Sequence, residues 1–141
     1  MTGYLEALRY DGQEVNPLFS FLGARLERAE DGEAEIRMPL SDGIIQGAGV
    51  VAGGILATLA DEAMAHAVLS LLPAGRMAVT AEMNIRYLRS ARPGDGGDLV
   101  ARAKVVKPGR NLIVAEASVF GIEEKLLATA GGTFWALPET K

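Results

Sequence analysis

The 141-residue chain predicts an α+β fold, a curved antiparallel sheet wrapped around one long central helix. Three observations carry that expectation. Residues 53–70 form a long, almost wholly apolar segment at helical spacing. The apolar runs on either side of it alternate with period two, as half-buried strands do. The order is strand, strand, long helix, then four strands, and strands gathered around one helix suit an antiparallel sheet. The length corresponds to about one domain and is sufficient for a sizeable core. The whole chain, 1–141, is therefore expected as one domain, with its core over about 18–137 and a short helical extension over 1–17.

The elements follow in order. Met1 to Tyr10 reads as a short helix ended by Asp11-Gly12, and Asn16-Pro17 introduces a second short apolar turn, Leu18 to Leu22. Gly23 to Ala29 and Glu33 to Leu40 read as strands joined at Glu30-Asp31-Gly32, a hairpin signal. In the second, Ala34, Ile36, Met38 and Leu40 alternate with Glu33, Glu35 and Arg37, so one face is buried and the other wet. The Gly-rich stretch from Ser41 to Ala52 leads into the helix, expected from Gly53 to about Leu72. Its many small residues permit close backbone approach, and its length of roughly 30 Å could run along the whole concave face of a sheet. After Pro73-Ala74-Gly75, a strand from Met77 to Leu88 sets Val79, Ala81, Met83, Ile85 and Tyr87 on one face and Thr80, Glu82, Asn84 and Arg86 on the other. A turn over Arg92 to Gly97 precedes a strand over Asp98 to Val106. Lys107-Pro108-Gly109-Arg110 turns the chain into a strand from Asn111 to Phe120, and Gly121 to Lys125 connects it to the last, Leu126 to Leu137.

Composition removes several function classes. With no cysteine, disulfides and thiolate metal sites are excluded, and the composition fits a reducing, cytoplasmic setting. A single histidine, His66, excludes a multi-histidine metal site within one chain. Met1 to Asp11 lacks a basic stretch followed by an apolar run, so no secretory leader is expected. Asp61 and Glu62 in the middle of the long helix argue against a membrane span. The net charge is −4, but Arg76 to Arg110 holds eight Lys/Arg against Glu82, Asp95 and Asp98, a local +5 that leaves −9 on the rest. That segment can attract an anionic ligand, or it can be the solvated basic edge of a sheet. Nucleic acid is not an expected partner, because the whole is acidic and the basic stretch has one aromatic, Tyr87.

The acid pair in the apolar helix is the most informative feature. Burying a carboxylate without a partner is costly, so at least one of the two belongs at an interface or a site. Thr58, Glu62 and His66 fall at i, i+4 and i+8 on one stripe. Glu62 and His66 are thus an i,i+4 pair, structural by default, with an acid/base pair as the alternative. Tyr87, Phe120, Phe134 and Trp135 are expected in the core or at an interface rather than under a ligand.

Two motifs make the pattern specific. Gly53-Gly54 through Leu59, Asp61 and Ala63 reads Gly-Gly-x-x-x-x-Leu-x-Asp-x-Ala. Val79 to Arg89, followed by Ala91-Arg92-Pro93-Gly94-Asp95, supplies a second piece in the right order. Together they resemble hotdog-fold acyl-CoA thioesterases of the PaaI-like type, over roughly residues 18–137. The resemblance implies a hotdog fold and hydrolysis of an acyl-CoA thioester to the free acid and coenzyme A. It implies that Asp61 acts on water as general base, or on the thioester as nucleophile. Gln46, fifteen residues earlier, matches the family's Asn or Gln; Gly53 matches the glycine whose N–H polarises the carbonyl; Thr80 best matches its strand Ser or Thr. One departure is plain: the family commonly reads His-Gly-Gly, and this chain has Ala52-Gly53-Gly54.

The residue types suit that chemistry. A helix N-terminus offers unpaired N–H groups and partial positive charge, and a glycine there brings its N–H against an oxygen with no side chain in the way. Asp61 lies eight residues from Gly53, about 12 Å along the axis, too far for both to reach one carbonyl within one helix. The site is therefore expected between two subunits of a homodimer, or of a homotetramer built as a dimer of dimers. Without the resemblance, Asp61 reads as a buried acid paired across a dimer, Gln46 as a solvated loop residue and Thr80 as a residue on the sheet's other face. Arg86, Arg89, Lys107 and Arg110 are candidates for the phosphates of coenzyme A, or form a solvated edge. No cofactor is expected beyond the coenzyme A carried by the substrate. The rival readings are a non-catalytic acyl-CoA-binding protein, favoured by Ala52, and an enoyl-thioester hydratase or dehydratase, for which His66 is poorly placed.

Overall fold

The computed structural model describes residues 3–10 and 15–138; the expected Asp11-Gly12 stop lies outside the described residues. Two short helices, α1 (Tyr4–Tyr10) and α2 (Pro17–Leu22), precede a hairpin of β1 (Arg25–Glu30) and β2 (Glu33–Pro39). The long helix α3 (Gly53–Leu69) follows, then β3 (Ala78–Tyr87), β4 (Asp98–Lys107), β5 (Leu112–Phe120) and β6 (Leu126–Ala136). The six strands form one antiparallel sheet in the order β1-β2-β4-β5-β6-β3, and α3 touches all six.

The period-two reading of β2 holds: Ala34, Ile36 and Met38 are buried while Glu33 is exposed and Glu35 and Arg37 are half-exposed. At the hairpin, Asp31 and Gly32 both have positive φ, 53° and 79°, the geometry that a two-residue turn between twisted strands requires. Gly32 also abuts the end of α3, where a Cβ would meet Leu71 at 3.1 Å, and its N–H donates to Ser70 Oγ at 2.8 Å. The helix stops at Leu69, short of the expected Leu72, because Leu71 and Leu72 fall into tight i→i+3 turns onto Val68 and Leu69.

Leu56, Leu59, Ala60, Ala63, Met64, Ala67 and Val68 carry α3 into the core against Ile36, Met38, Leu99, Ile113, Val119 and Phe134. Sheet and helix meet closely at Gly132, where a Cβ would lie 3.2 Å from Met64 Cε. Of the expected aromatic core residues, Phe134 is buried and Phe120 lies under the Arg102 guanidinium, whereas Trp135 and Tyr87 are substantially exposed.

The extension packs into the same core through Leu5, Leu8 and Phe19. It is tied down at His66, which is 2% exposed. His66 Nδ1 donates to the Glu62 backbone carbonyl at 2.6 Å, so Nε2 is an acceptor and takes the Tyr4 hydroxyl proton at 2.8 Å. Tyr4 in turn accepts from Asn16 Nδ2 at 2.7 Å, and Asn16 Oδ1 caps α2 at the Phe19 N–H. Burial holds the His66 ring below its ordinary pKa and so neutral, and burial raises the Tyr4 phenol. The expected i,i+4 pair of Glu62 and His66 is present as a 3.8 Å approach of the carboxylate to Nδ1, whose proton goes to the backbone carbonyl. Tyr4→Phe leaves a buried ring nitrogen and an amide without a partner, and is expected to cost about 1–3 kcal/mol in urea unfolding. A loss under a few tenths would show that the extension does not depend on this network.

Candidate active site

Two groups of side chains face the two halves of α3. The first is built at its N-terminus. The loop before α3 is held by an Ile45–Val51 bridge, a Gln46 N–H to Val50 carbonyl bond of 2.8 Å and an Ala52 N–H to Ile44 carbonyl bond of 2.9 Å. Ala52 occupies the N-cap position and has no side chain to cap with. Among the described residues, no protein acceptor engages the Gly53 N–H. Gly53 is fixed from its other side: the Tyr87 hydroxyl donates to its carbonyl at 2.8 Å, and a Cβ on Gly53 would lie 3.1 Å from the Tyr87 ring. An open cleft of about 420 Å³ runs past Gln46, Gly53, Tyr87 and Arg89. The Gln46 side-chain oxygen accepts from the Ala48 N–H inside its own loop.

The second group is Asp61 with Thr80, whose hydroxyl donates to Asp61 Oδ1 at 2.6 Å. This contact corrects the expected faces of β3. The β3–β6 register shifts between Thr80 and Glu82, leaving Ala81 as a bulge. Thr80 pairs beside buried Phe134 and faces the helix; after the bulge, Met83, Ile85 and Tyr87 take that face and Glu82, Asn84 and Arg86 face outward. An unbulged strand would have pointed Thr80 and Tyr87 to opposite faces.

Within one chain, Gly53 and Gln46 are not brought to Asp61; the helix keeps the two groups about 12 Å apart. The four candidate phosphate contacts also divide. Arg89 lines the cleft beside Gln46 and Gly53. Arg86 is opposite Thr129 on the outer face near the start of β6. Lys107, opposite Val114, and Arg110, whose carbonyl accepts from Arg76, lie at the other end of the sheet, near the Leu112–Trp135 pair.

The structure gives Tyr87 a role that its sequence context did not, and gives Glu62 a changed charge state. Tyr87 anchors the helix start. Glu62, 23% exposed, is raised to a pKa of about 7, first by burial and then by the charge of Asp61. The sequence signal for Tyr87 is slight, an aromatic at the end of β3; that for Glu62 is the acid pair in an apolar helix. Among the described residues no group of three or more His, Asp or Glu side chains is arranged to hold a metal, and no helix is long and apolar enough to cross a membrane.

The raised carboxyl has a signed consequence. Unfolded, Glu62 titrates near 4.5; folded, near 7. Between those values the folded chain holds a proton that the unfolded chain has lost, so the neutral acid's contribution is complete below the lower value and is lost as pH rises through the upper. Glu62→Gln keeps the neutral form, and its Tm relative to wild type is expected to rise between about pH 5 and about pH 8. A difference that stays constant with pH would show an unburied carboxyl.

Comparison with known proteins agrees with the geometry. A family model described as the thioesterase superfamily matches residues 48–128. A Halobacterium salinarum protein, provisionally named an esterase, is 46% identical over 107 residues, 72% of this chain and 68% of that one. The crystal structure of a thioesterase family protein from Silicibacter pomeroyi superposes with a TM-score of 0.85 at 34% identity, covering 96% of this chain and 98% of that chain. A thioesterase from Haemophilus influenzae gives 0.85 at 27% identity, covering 100% and 95%, and the Escherichia coli PaaI protein of the phenylacetic acid degradation operon gives 0.83 at 25%, covering 96% and 92%. The chain thus belongs to the thioesterase superfamily, as a hotdog-fold thioester hydrolase of the PaaI-like type.

Proposed function

We propose that the protein hydrolyses an acyl-CoA thioester to the free acid and coenzyme A, in the cytoplasm, at sites shared between the subunits of a homodimer or of two associated dimers. The observation that carries this reading is that both halves of the chemistry are tied to opposite ends of one exposed edge strand. Gly53 is bonded to Tyr87 and Asp61 to Thr80, so α3 and β3 run side by side in opposite senses. The midpoint between Thr80 and Tyr87 falls at Met83–Asn84. A copy paired antiparallel about that point exchanges the ends, bringing Gly53 of one subunit opposite the partner's Asp61.

The sheet edges support this pairing. The β1 edge is six residues long and carries Arg25, Glu27, Arg28 and Glu30, charges that discourage pairing. The β3 edge is ten residues long and has only Glu82 and Arg86. Along the uncovered face of α3, Gly54, Ala57, Thr58 and Asp61 are mostly small residues that a second helix can approach closely, while Glu62 and Ala65 turn toward the N-terminal segment.

In this reading the Gly53 N–H donates to the thioester oxygen and strengthens its bond as negative charge develops there. Asp61, held by Thr80, takes a proton from water as the water oxygen bonds to the acyl carbon; the C–S bond then breaks and the thiol leaves with a proton. Direct attack by the Asp61 carboxylate, followed by hydrolysis, is the alternative route. Gln46 orients the substrate in the loop, and Arg89, with Arg86, Lys107 and Arg110 as further candidates, offers guanidinium or ammonium contacts to the coenzyme A phosphates. Coenzyme A enters as part of the substrate and no separate cofactor takes part. A hydratase reading is disfavoured because both His66 ring nitrogens are already engaged. Binding without turnover is the reading that Ala52 favours.

Thiol release from a panel of acyl-CoAs tests the proposal. Asp61→Asn is expected to lower kcat at least about 10²-fold; full activity in the variant would overturn the mechanism, and binding without release by wild type would favour the non-catalytic reading. Tyr87→Phe frees the Gly53 carbonyl and is expected to lower kcat about tenfold with little change in KM; a change in KM alone would give Tyr87 a binding role. Gly53→Pro removes the N–H at a first-turn position, after an Ala52 already extended at φ −62° and ψ 136°, and its Cβ, 3.1 Å from the Tyr87 ring, also displaces that anchor, so the variant is expected to be inactive. Mixing inactive Gly53→Pro and Asp61→Asn subunits is expected to restore roughly a quarter of wild-type activity, since half the dimers are hybrids with one intact site. No recovery on mixing would place each site within a single chain.

A further inference from the structure

One turn of α3 beyond the Asp61–Thr80 pair, a second open cleft of about 390 Å³ lies between α3, the N-terminal segment and the start of β3. Its walls are mainly apolar: Val15, Pro17, Ala65, Leu69, Met77 and Ala78. Among the described residues four polar side chains reach it, and three are bonded to one another or to the backbone. His66 uses both ring nitrogens, the Tyr4 hydroxyl donates to His66 and accepts from Asn16, and Asn16 caps α2 with its oxygen. The fourth, Glu62, has no hydrogen-bond donor within reach among the described residues; the His66 ring nitrogen nearest it, at 3.8 Å, gives its proton elsewhere. Among the described residues no Lys or Arg lines the cleft to balance it. A mainly apolar cleft one turn along α3 from the Asp61–Thr80 pair, ending on an acid that accepts no hydrogen bond among the described residues, can take a donor there.

We propose that this cleft receives the far end of the acyl group, and that Glu62 selects acyl groups ending in a hydrogen-bond donor, a hydroxyl or an ammonium, over wholly apolar ones and against those ending in a carboxylate. The inference rests on the thioesterase reading and names the substrate class of that site. A donor-ended chain supplies the bond that Glu62 lacks. A hydrocarbon end leaves it unpaired, and a carboxylate end adds a third negative charge beside Asp61 and Glu62. Burial and the neighbouring Asp61 hold the Glu62 carboxyl near a pKa of about 7, so both its donating and accepting forms are accessible near neutrality.

The test uses four six-carbon CoA thioesters: hexanoyl, 6-hydroxyhexanoyl, 6-aminohexanoyl and adipoyl with its free carboxylate. Wild type is expected to favour the hydroxyl- and amino-ended thioesters over hexanoyl by at least about tenfold in kcat/KM, with adipoyl the slowest. In Glu62→Leu the ratio should collapse to near one. Glu62→Gln, which keeps the shape and removes the charge, should retain the hydroxyl preference and lose the ammonium one, which separates the two sources of the donor. An unchanged ratio in folded Glu62→Leu, or in Glu62→Gln and Glu62→Leu alike, or a preference for adipoyl, overturns the proposal. If wild type turns over none of the four, the thioesterase reading fails for this substrate series. The selectivity is then decided by calorimetry on Asp61→Asn protein. There, 6-hydroxyhexanoyl-CoA must bind about tenfold more tightly than hexanoyl-CoA, and the gap must vanish in Asp61→Asn/Glu62→Leu; equal affinities in Asp61→Asn overturn the inference.

Discussion

A helix as apolar as α3 cannot stand in water, and a single curved sheet covers only part of its circumference. The concave face of the sheet takes Leu56, Leu59, Ala60, Ala63, Met64, Ala67 and Val68. What remains is a stripe through Gly54, Ala57, Thr58, Asp61, Glu62 and Ala65, left half-exposed or open. Both acids of the chain's central pair fall on that stripe because the covered face admits no charge without a partner. The catalytic candidates, the uncovered edge of β3 and the cleft over Glu62 all border it. The same burial that stabilises the fold therefore dictates where chemistry can occur.

The neighbouring carboxylates receive different treatment from their surroundings. Asp61 meets the Thr80 hydroxyl, a short bond that fixes one oxygen. Glu62 points into a mainly apolar cleft, where burial and the Asp61 charge disfavour ionisation. Adjacent residues on a helix differ by about 100° in direction, enough for one to face the sheet edge and the other the N-terminal segment. Surroundings can thus give two adjacent acids different chemistry.

The N-terminal segment is more than a cover. Its Tyr4 satisfies His66 and its Asn16 satisfies Tyr4, while burial keeps the ring neutral and so removes it as an acid or base. They also form one wall of the Glu62 cleft. The extension thus helps define the boundary of a cleft one helical turn beyond the Asp61–Thr80 pair.

Much of this was legible in the residues. Period-two alternation gave β2 its buried face, Asp31-Gly32 its turn, and helical spacing the long α3, because each depends on neighbours a few positions away. The spacing of Gly53 and Asp61 already separated the halves of the site, since helical rise is the same everywhere. The facing of Thr80 was not legible. Ala81 is an ordinary strand residue, and only pairing with β6 makes it a bulge that turns Thr80 toward Asp61. Nor was the partner of His66, which lies 62 positions away at Tyr4, or the division of the basic residues between opposite ends of the sheet. Local chemistry and periodicity determined the elements, and the family motifs named the candidate groups. Tertiary structure alone decided which face, partner and charge state each group has, because register, burial and long-range hydrogen bonds exist only once distant segments have met.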